Sequence, residues 1–590
     1  MCKNDVIISD FSSAVLEKER LSPSSSPDRW ETVGYRTKDV SGSFIYAAET
    51  CLPPPLTVNP GLKGWHRIYV CMSDCGGAFS SDINLRLSGD RFSRSMRAGS
   101  MGRYVIWSLT EMLEESFWKC ADMTGQTVEI SKTDSGKPSK ANLFWLRFAP
   151  MTDEEIKAHL SRRPNKTMLA HMDGDFHHLD AARTPDDYCK QLAALADSDV
   201  GVVSQEIMND LVDYSSPGYG DFYPRDSFTK TRAAYFKDLS ENRAEAYAAQ
   251  TAFARDHGMK LLAAQRMSLS NFTFPYLNPF FEVPFVKQHP EFMCAARDGA
   301  TVGFMSYAYP EVRRFVIGTL LDALSHGFDG VELLFTRGVC LMFENPVAAE
   351  YRKRYPDGPD YRRLPASDPR LYEIRCGIMT VFFRELRSAL DGFAAENGRD
   401  RPLVYVTGYY SAEASRQNGL DFETLASEGL IDGIVQSNMT VFETADDALD
   451  DDGLVDIEKY AKIAETGFVI RRAHGNDPDL TAKEAGVYRG IADRHHIQLY
   501  SELQWESSVP PEEYVKAARK IYAAGGMNIA LWDAVPSRVQ CLSEWNAVSR
   551  LGSRESAMEA PDQAEAYQTP VKLLAVGGQD IRYVSPNWRG

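Results

Sequence analysis

The chain has 590 residues, 44% of them hydrophobic and 25% charged, the proportions of a globular protein long enough for more than one domain. A net charge of −17 without any lysine/arginine run argues against a nucleic-acid partner, and no apolar run is long enough to cross a membrane. The first residues carry no leader-like apolar stretch and the ten cysteines are scattered, so a cytoplasmic protein with reduced thiols is expected. Cys71-x-x-x-Cys75 is the nearest cysteine pair, and a zinc site would need a second one.

Residues 1–28 are polar and end in Ser22-Pro23-Ser24-Ser25-Ser26-Pro27, the pattern of a flexible tail. From 29 to 150, short alternating runs such as 65–71, 83–87, 127–130 and 143–148 stand between turn residues, which predicts an antiparallel β-sandwich. A capping box, Thr152-x-x-Glu155, then opens a helix. From 151 to 553 the rhythm is strand then helix. Strands are predicted at 167–173, 200–206, 259–265, 329–335, 403–409, 432–438, 497–503 and 527–533, with the run 467–470 competing for the seventh place. Helix starts are marked at Thr184-Pro185, Tyr309-Pro310, Asn345-Pro346, Asp368-Pro369, Thr481-x-x-Glu484 and Pro510-Pro511. The last stretch, 554–590, is strand-like again and is expected to return to the sandwich.

One phrase recurs in the middle region: a helix, a glycine, then an apolar strand ending in polar residues. It appears at Gly258, Gly327 and Gly525, each fitted to a helix C′ position. Strands apolar on both faces and joined by helices form a parallel sheet. A doubly wound sheet would carry a glycine-rich turn after its first strand. Here that strand ends in Ala170-His171-Met172-Asp173-Gly174-Asp175. The expected fold is therefore α/β: a (β/α)8 TIM barrel with an N-terminal antiparallel β-sandwich domain.

In such a barrel the strand C-termini build the site. That rim carries Asp173, Glu206, Arg266, Asn271, Glu332, Arg337, Tyr409, Gln436, Asn438, Glu502, Trp505, Glu506, Trp532 and Asp533. Aromatic faces stack on sugar C–H faces, amides and carboxylates bind hydroxyls, and two carboxylates can cleave a glycosidic bond. Glu332 stands out because it interrupts the apolar run Val331-Glu332-Leu333-Leu334-Phe335, where a carboxylate is costly unless partnered or used. A structural ion pair with Arg266 or Arg337 is the plain alternative. Glu502 ends the seventh strand in the same way, with Glu506 and Glu206 as competitors. Asp173 and Asp533 could instead cap the helices that follow. His171-x-Asp173 could be half of a metal site, yet later strands bring no histidines to complete it, so no metal and no cofactor are expected. Asp329 and Asp432 begin strands and belong to the bottom of the barrel, where residues serve stability.

Three phrases, in this order, resemble a known group: His289-Pro290-Glu291-Phe292 with Arg297-Asp298-Gly299, Phe328 to Phe335, and Gly419 to Asp432. They are similar to the uncharacterised glycosyl-hydrolase-like proteins related to the family-10-like glycosidases, and the resemblance covers roughly residues 165–553. It implies a (β/α)8 barrel with an acid/base on strand 4 and a nucleophile on strand 7, matched here by Glu332 and Glu502. It implies glycosidase chemistry with retention and names no particular sugar. One departure stands out: the group often has an acidic residue two places after the strand-4 glutamate, where this chain has Leu334. The expectation is thus a glycoside hydrolase with a carbohydrate substrate, and with no nucleic-acid or membrane partner. Homo-oligomerisation is left open. A non-catalytic carbohydrate-binding barrel and a metal-dependent barrel hydrolase are the alternatives.

Overall fold

The computed structural model describes residues 4–49, 51–73, 83–98, 112–132, 140–172, 184–208, 227–269, 284–335, 340–365, 368–437, 478–503, 510–535 and 537–581. Two sheets form the N-terminal sandwich. The larger takes Val6–Ile8, Trp30–Thr37, Ser41–Ala47, Trp65–Ser73, Met112–Asp122, Ala141–Leu143 and Trp145–Pro150; the smaller takes Leu56–Val58, Ile83–Leu87, Arg94–Met96 and Val128–Ser131. Alternate residues face inward, as in packed sheets. Leu56, Val58, Leu85 and Ile130 of the smaller sheet share one core with Ile45, Ile68, Val70 and Phe148 of the larger.

The polar tail expected at 1–28 is partly folded. Val6–Ile8 pairs antiparallel with Leu146–Phe148, and Phe11 and Val15 are buried in the sandwich core. A three-residue edge strand carries no periodicity of its own and forms because a finished sheet offers it hydrogen bonds. At the other end of the chain, Gln568–Val576 lies between Met112–Asp122 and Trp30–Thr37 and pairs antiparallel with both.

The eight predicted strands all exist and close on themselves as parallel neighbours. They are β1 Met168–Met172, β2 Val200–Met208, β3 Lys260–Arg266, β4 Gly330–Leu334, β5 Leu403–Gly408, β6 Gly433–Gln436, β7 Gln498–Glu502 and β8 Asn528–Val535. The seventh place belongs to 498–502; the competing run 467–470 lies outside the described residues. Helices alternate with the strands and begin where the sequence marks them at Pro185, Pro310, Asn345, Pro369 and Pro511, whereas the helix marked at Thr481 begins earlier, at Pro478. Thr152 and Thr184 make capping boxes, and Asp368 caps the helix Pro369–Asn397. Gly258, Gly327 and Gly525 have φ of 69°, 106° and 99°, the left-handed conformation that a helix C′ position requires.

At the floor, Asp329 and Asp432 act as strand locks. Each accepts from the N–H of the second residue of the preceding strand, Leu261 N at 2.9 Å and Val404 N at 2.8 Å. The two units meet through side chains as well as the chain. Arg94 donates to the Val539 carbonyl at 2.8 Å, Asn546 donates to the Phe117 carbonyl at 2.9 Å, and Leu542 joins the sandwich core.

Candidate active site in the barrel interior

Alternation along each strand sorts the barrel residues into two sets. Met168, Ala170, Val203, Leu261, Val331, Leu333, Val404, Ile434, Leu499 and Leu531 pack outward with the helices. Leu169, Val202, Leu262, Tyr405, Val435, Tyr500 and Ala530 form a separate core inside. A barrel interior is filled in layers drawn alternately from odd and even strands. Tracing the printed registers with the one-residue stagger of such a barrel puts Leu169, Leu262, Tyr405 and Tyr500 at one level. Ser204, Glu332, Val435 and Ala530 stand above them. His171, Ala264, Thr407 and Glu502 come next, then Glu206, Leu334, Ser437 and Trp532. The lower levels are apolar apart from the two tyrosines, and polarity increases toward the strand C-termini.

The hydrogen bonds agree with these levels. Thr407 Oγ1 donates to Glu332 Oε1, Ser437 Oγ donates to Glu502 Oε2 at 2.7 Å, and His171 Nδ1 lies 3.3 Å from Ser204 Oγ. Glu332 and Glu502 are each 1% exposed, as buried as the apolar core around them. Oε2 of Glu332 has no hydrogen-bond partner among the described residues. An ionisable oxygen left so in a protein interior is costly and marks a site where a ligand or reaction can supply what is missing. Beneath it, burial raises the Tyr405 hydroxyl above the ordinary tyrosine range, and burial with the neighbouring Tyr405 raises Tyr500 further; the charge of Glu332 adds to both.

Glu332 does not take the ion pair considered for it with Arg266, and Arg337, the other partner considered, lies outside the described residues. Arg266 is held by Glu206 instead, Nε to Oε1 at 2.5 Å, and both side chains are almost fully buried. Trp532 reaches from β8 across the barrel to pack with Ala264 of β3 and Leu334 of β4. One face of its indole is stacked on His171, with ring centroids 4.0 Å apart and planes at 17°. Leu334, standing where the resembling group often has an acid, is thus part of an apolar wall above Glu332.

Two predicted rim residues belong elsewhere. Gln436 faces the helices: its Nε2 donates to the carbonyls of Tyr410 at 2.9 Å and Thr481 at 3.1 Å, and its Oε1 accepts from Ser501 Oγ at 2.8 Å. Tyr409, just past the end of β5, packs in the strand–helix core, and burial raises its hydroxyl far above the usual range. Asp533 stands on β8. Asp173, Asn271, Arg337, Asn438, Trp505 and Glu506 lie outside the described residues. The site also contains residues that the sequence reading passed over: Thr407, Ser437 and Ser204. Their signal was present in the alternation. Thr407 lies two places after the inward Tyr405, Ser437 two after Val435, and Ser204 two before Glu206. Among the described residues, no group of three or more histidines, cysteines or carboxylates could hold a metal ion. None of the described helices is long and apolar enough to cross a membrane.

Solved structures similar to this chain include glycoside hydrolases. The glycoside hydrolase domain of PgaB from Bordetella bronchiseptica is 11% identical, with 64% of this chain and 99% of that one covered, at a TM-score of 0.34. The glycoside hydrolase domain of PelA from Pseudomonas aeruginosa is 11% identical over 64% and 97%, at 0.29. An α-galactosidase from Thermus thermophilus is 12% identical over 89% and 95%, at 0.32. Likeness of this degree adds nothing to the barrel established by strand pairing and does not bear on the substrate. No family model and no curated protein matches the chain.

Proposed function

We propose that the chain is a glycoside hydrolase acting on an oligosaccharide or glycoside. The observation that carries this reading is the buried Oε2 of Glu332, without a hydrogen-bond partner among the described residues, on β4, one level below Glu502 on β7 within the same barrel interior. In this reading Glu332 is the general acid/base. Protonated, it gives its proton to the departing glycosidic oxygen; ionised, it takes one from the attacking water. Glu502 is the nucleophile, its Oε2 steadied by Ser437. It attacks the anomeric carbon, and the resulting glycosyl-enzyme ester is hydrolysed with net retention.

Trp532 is assigned as a sugar platform. The Glu206–Arg266 pair offers hydrogen-bonding edges to sugar hydroxyls. Asp173, Asn271, Arg337, Asn438, Trp505, Glu506 and Asp533 are assigned to substrate binding as well, on the sequence alone. The free, mostly buried thiols Cys51, Cys71, Cys189, Cys294, Cys340, Cys376 and Cys541 support a reducing compartment, and we place the protein in the cytoplasm.

The test is a panel of aryl glycosides and oligosaccharides offered to the wild type, Glu332→Gln and Glu502→Gln. Hydrolysis of a panel member by the wild type, lost in both variants, supports the reading. Leu334 favours a second one, a carbohydrate-binding barrel without turnover: it fills with an apolar side chain the place where a further acid is expected. Saturable sugar binding with no hydrolysis by the wild type would favour that alternative.

A further inference from the structure

Glu332 has two oxygens in unequal states, and one neighbour accounts for the inequality. Oε1 accepts from Thr407 Oγ1, whereas Oε2 is buried without a partner among the described residues. Thr407 is itself 0% exposed and lies on β5, the strand paired with β4, where it stands opposite Leu334 and diagonally above Glu332. Its position is well determined. Its backbone sits in the barrel ladder, and its carbonyl accepts from Phe335 N at 3.0 Å. A β-branched side chain in a strand has few χ1 choices, so the hydroxyl is aimed by the strand. Below Glu332 lie the rings of Tyr405 and Tyr500, so the carboxylate cannot swing toward the floor without meeting them.

We propose that Thr407 is a positioning residue for the reaction. By holding Oε1, it leaves Oε2 as the oxygen presented to the glycosidic bond. This rests on the reading of Glu332 as the acid/base. It adds a residue that touches no substrate, and it assigns different tasks to the two oxygens of one carboxylate. A carboxylate tied at neither oxygen would rotate about its last bond, and its proton would be delivered from a spread of directions. Misplacement by about 1 Å in such a transfer costs about a hundredfold in rate.

The experiment compares Thr407→Val, which keeps the shape and loses the hydroxyl, with Thr407→Ser, which keeps the hydroxyl. Turnover is measured on the panel glycoside that the wild type hydrolyses fastest. Thr407→Val is expected to lower kcat about a hundredfold with KM changed less than about twofold, and Thr407→Ser is expected to stay within a few-fold of wild type. Crystal structures of both variants give a readout independent of turnover: the Glu332 carboxylate should be turned in the valine variant and unmoved in the serine variant. If Thr407→Val does not fold, Thr407→Ala takes its place in both measurements. Equal losses in the valine and serine variants, or a Glu332 carboxylate unmoved without the hydroxyl, would overturn the proposal. Failure of the acid/base reading looks different. There Glu332→Gln itself keeps its rate, or the wild type hydrolyses nothing, while the crystallographic comparison still decides what Thr407 does.

Discussion

Two buried glutamates, one in each half of the molecule, are treated in opposite ways. Glu115 stands in the large sheet of the sandwich. Trp145 Nε1 donates to its Oε1 at 2.7 Å, Arg147 Nε donates to the same oxygen at 2.9 Å, and Arg147 Nη2 reaches Oε2 at 2.6 Å. Arg147 is also 3.0 Å from Asp5, so its own charge is more than answered. Glu332 stands in the barrel with one hydroxyl on one oxygen and, among the described residues, nothing on the other. The first arrangement is that of a carboxylate paid for in full by its neighbours, and its task is to tie sheet strands together. The second leaves a deficit that a fold built only for stability would remove with an arginine or an apolar residue. The Glu206–Arg266 pair inside the barrel is also matched in charge, although it is assigned to sugar hydroxyls.

The contrast breaks most decisively at Glu332. Glu332→Gln is expected to lower turnover about a thousandfold, roughly 4 kcal/mol in the barrier, with a melting temperature at or above that of the wild type. Steady-state rates and a thermal scan check both halves, and a near-wild-type rate would end the acid/base assignment. Glu502→Gln should lose turnover to a similar degree, and NMR of the first-formed sugar should show retained configuration with the wild type. An inverted product would require a water between the two carboxyls and a separation of about 6.5–9.5 Å in place of about 5–5.5 Å.

The sandwich should respond in stability instead. Glu115→Gln weakens the charged hydrogen bonds to Arg147 while Asp5 still pairs with it, and urea denaturation should record a loss of about 1–3 kcal/mol with unchanged kcat per folded molecule. Arg266→Met sharpens the comparison because it strips a buried partner from Glu206 inside the barrel. A stability loss of the same order with little change in kcat would class that pair with Glu115, whereas a large change in KM would make it part of the sugar site.

The smallest effect is expected at the surface. Arg494 first, and His495 second, hold Glu423 down to about 2. The sign follows from the lowered value: the contribution is present above the unfolded carboxylate range and is lost as pH falls toward about 2. Glu423 is largely exposed and water screens the pair, so Glu423→Gln should cost less than about 1 kcal/mol near neutral pH. That difference should vanish at the acid end of a series of urea melts.

Much of the fold was legible along the chain. The helix caps at Thr152, Thr184 and Asp368, the left-handed glycines and the apolar strands are local patterns, and each reports an element within a few residues. The N-terminal strand was not legible, because Val6–Ile8 depends on Leu146–Phe148 for its bonds. In the site, Glu332 and Glu502 could be picked out as carboxylates in apolar strands, and the structure places both inward. Gln436 and Tyr409, read as substrate-binding residues of the same rim, face the helices.

The sequence by itself determined that there would be eight buried strands, where they lie, and that charged groups would interrupt two of them. Strand closure decided the rest. Which side of a strand faces the axis, and which residue of the next strand stands level with it, depend on pairing between segments far apart in the chain. Only that pairing sets Thr407 beside Glu332, gives Arg266 to Glu206, and leaves Oε2 of Glu332 without a hydrogen-bond partner among the described residues.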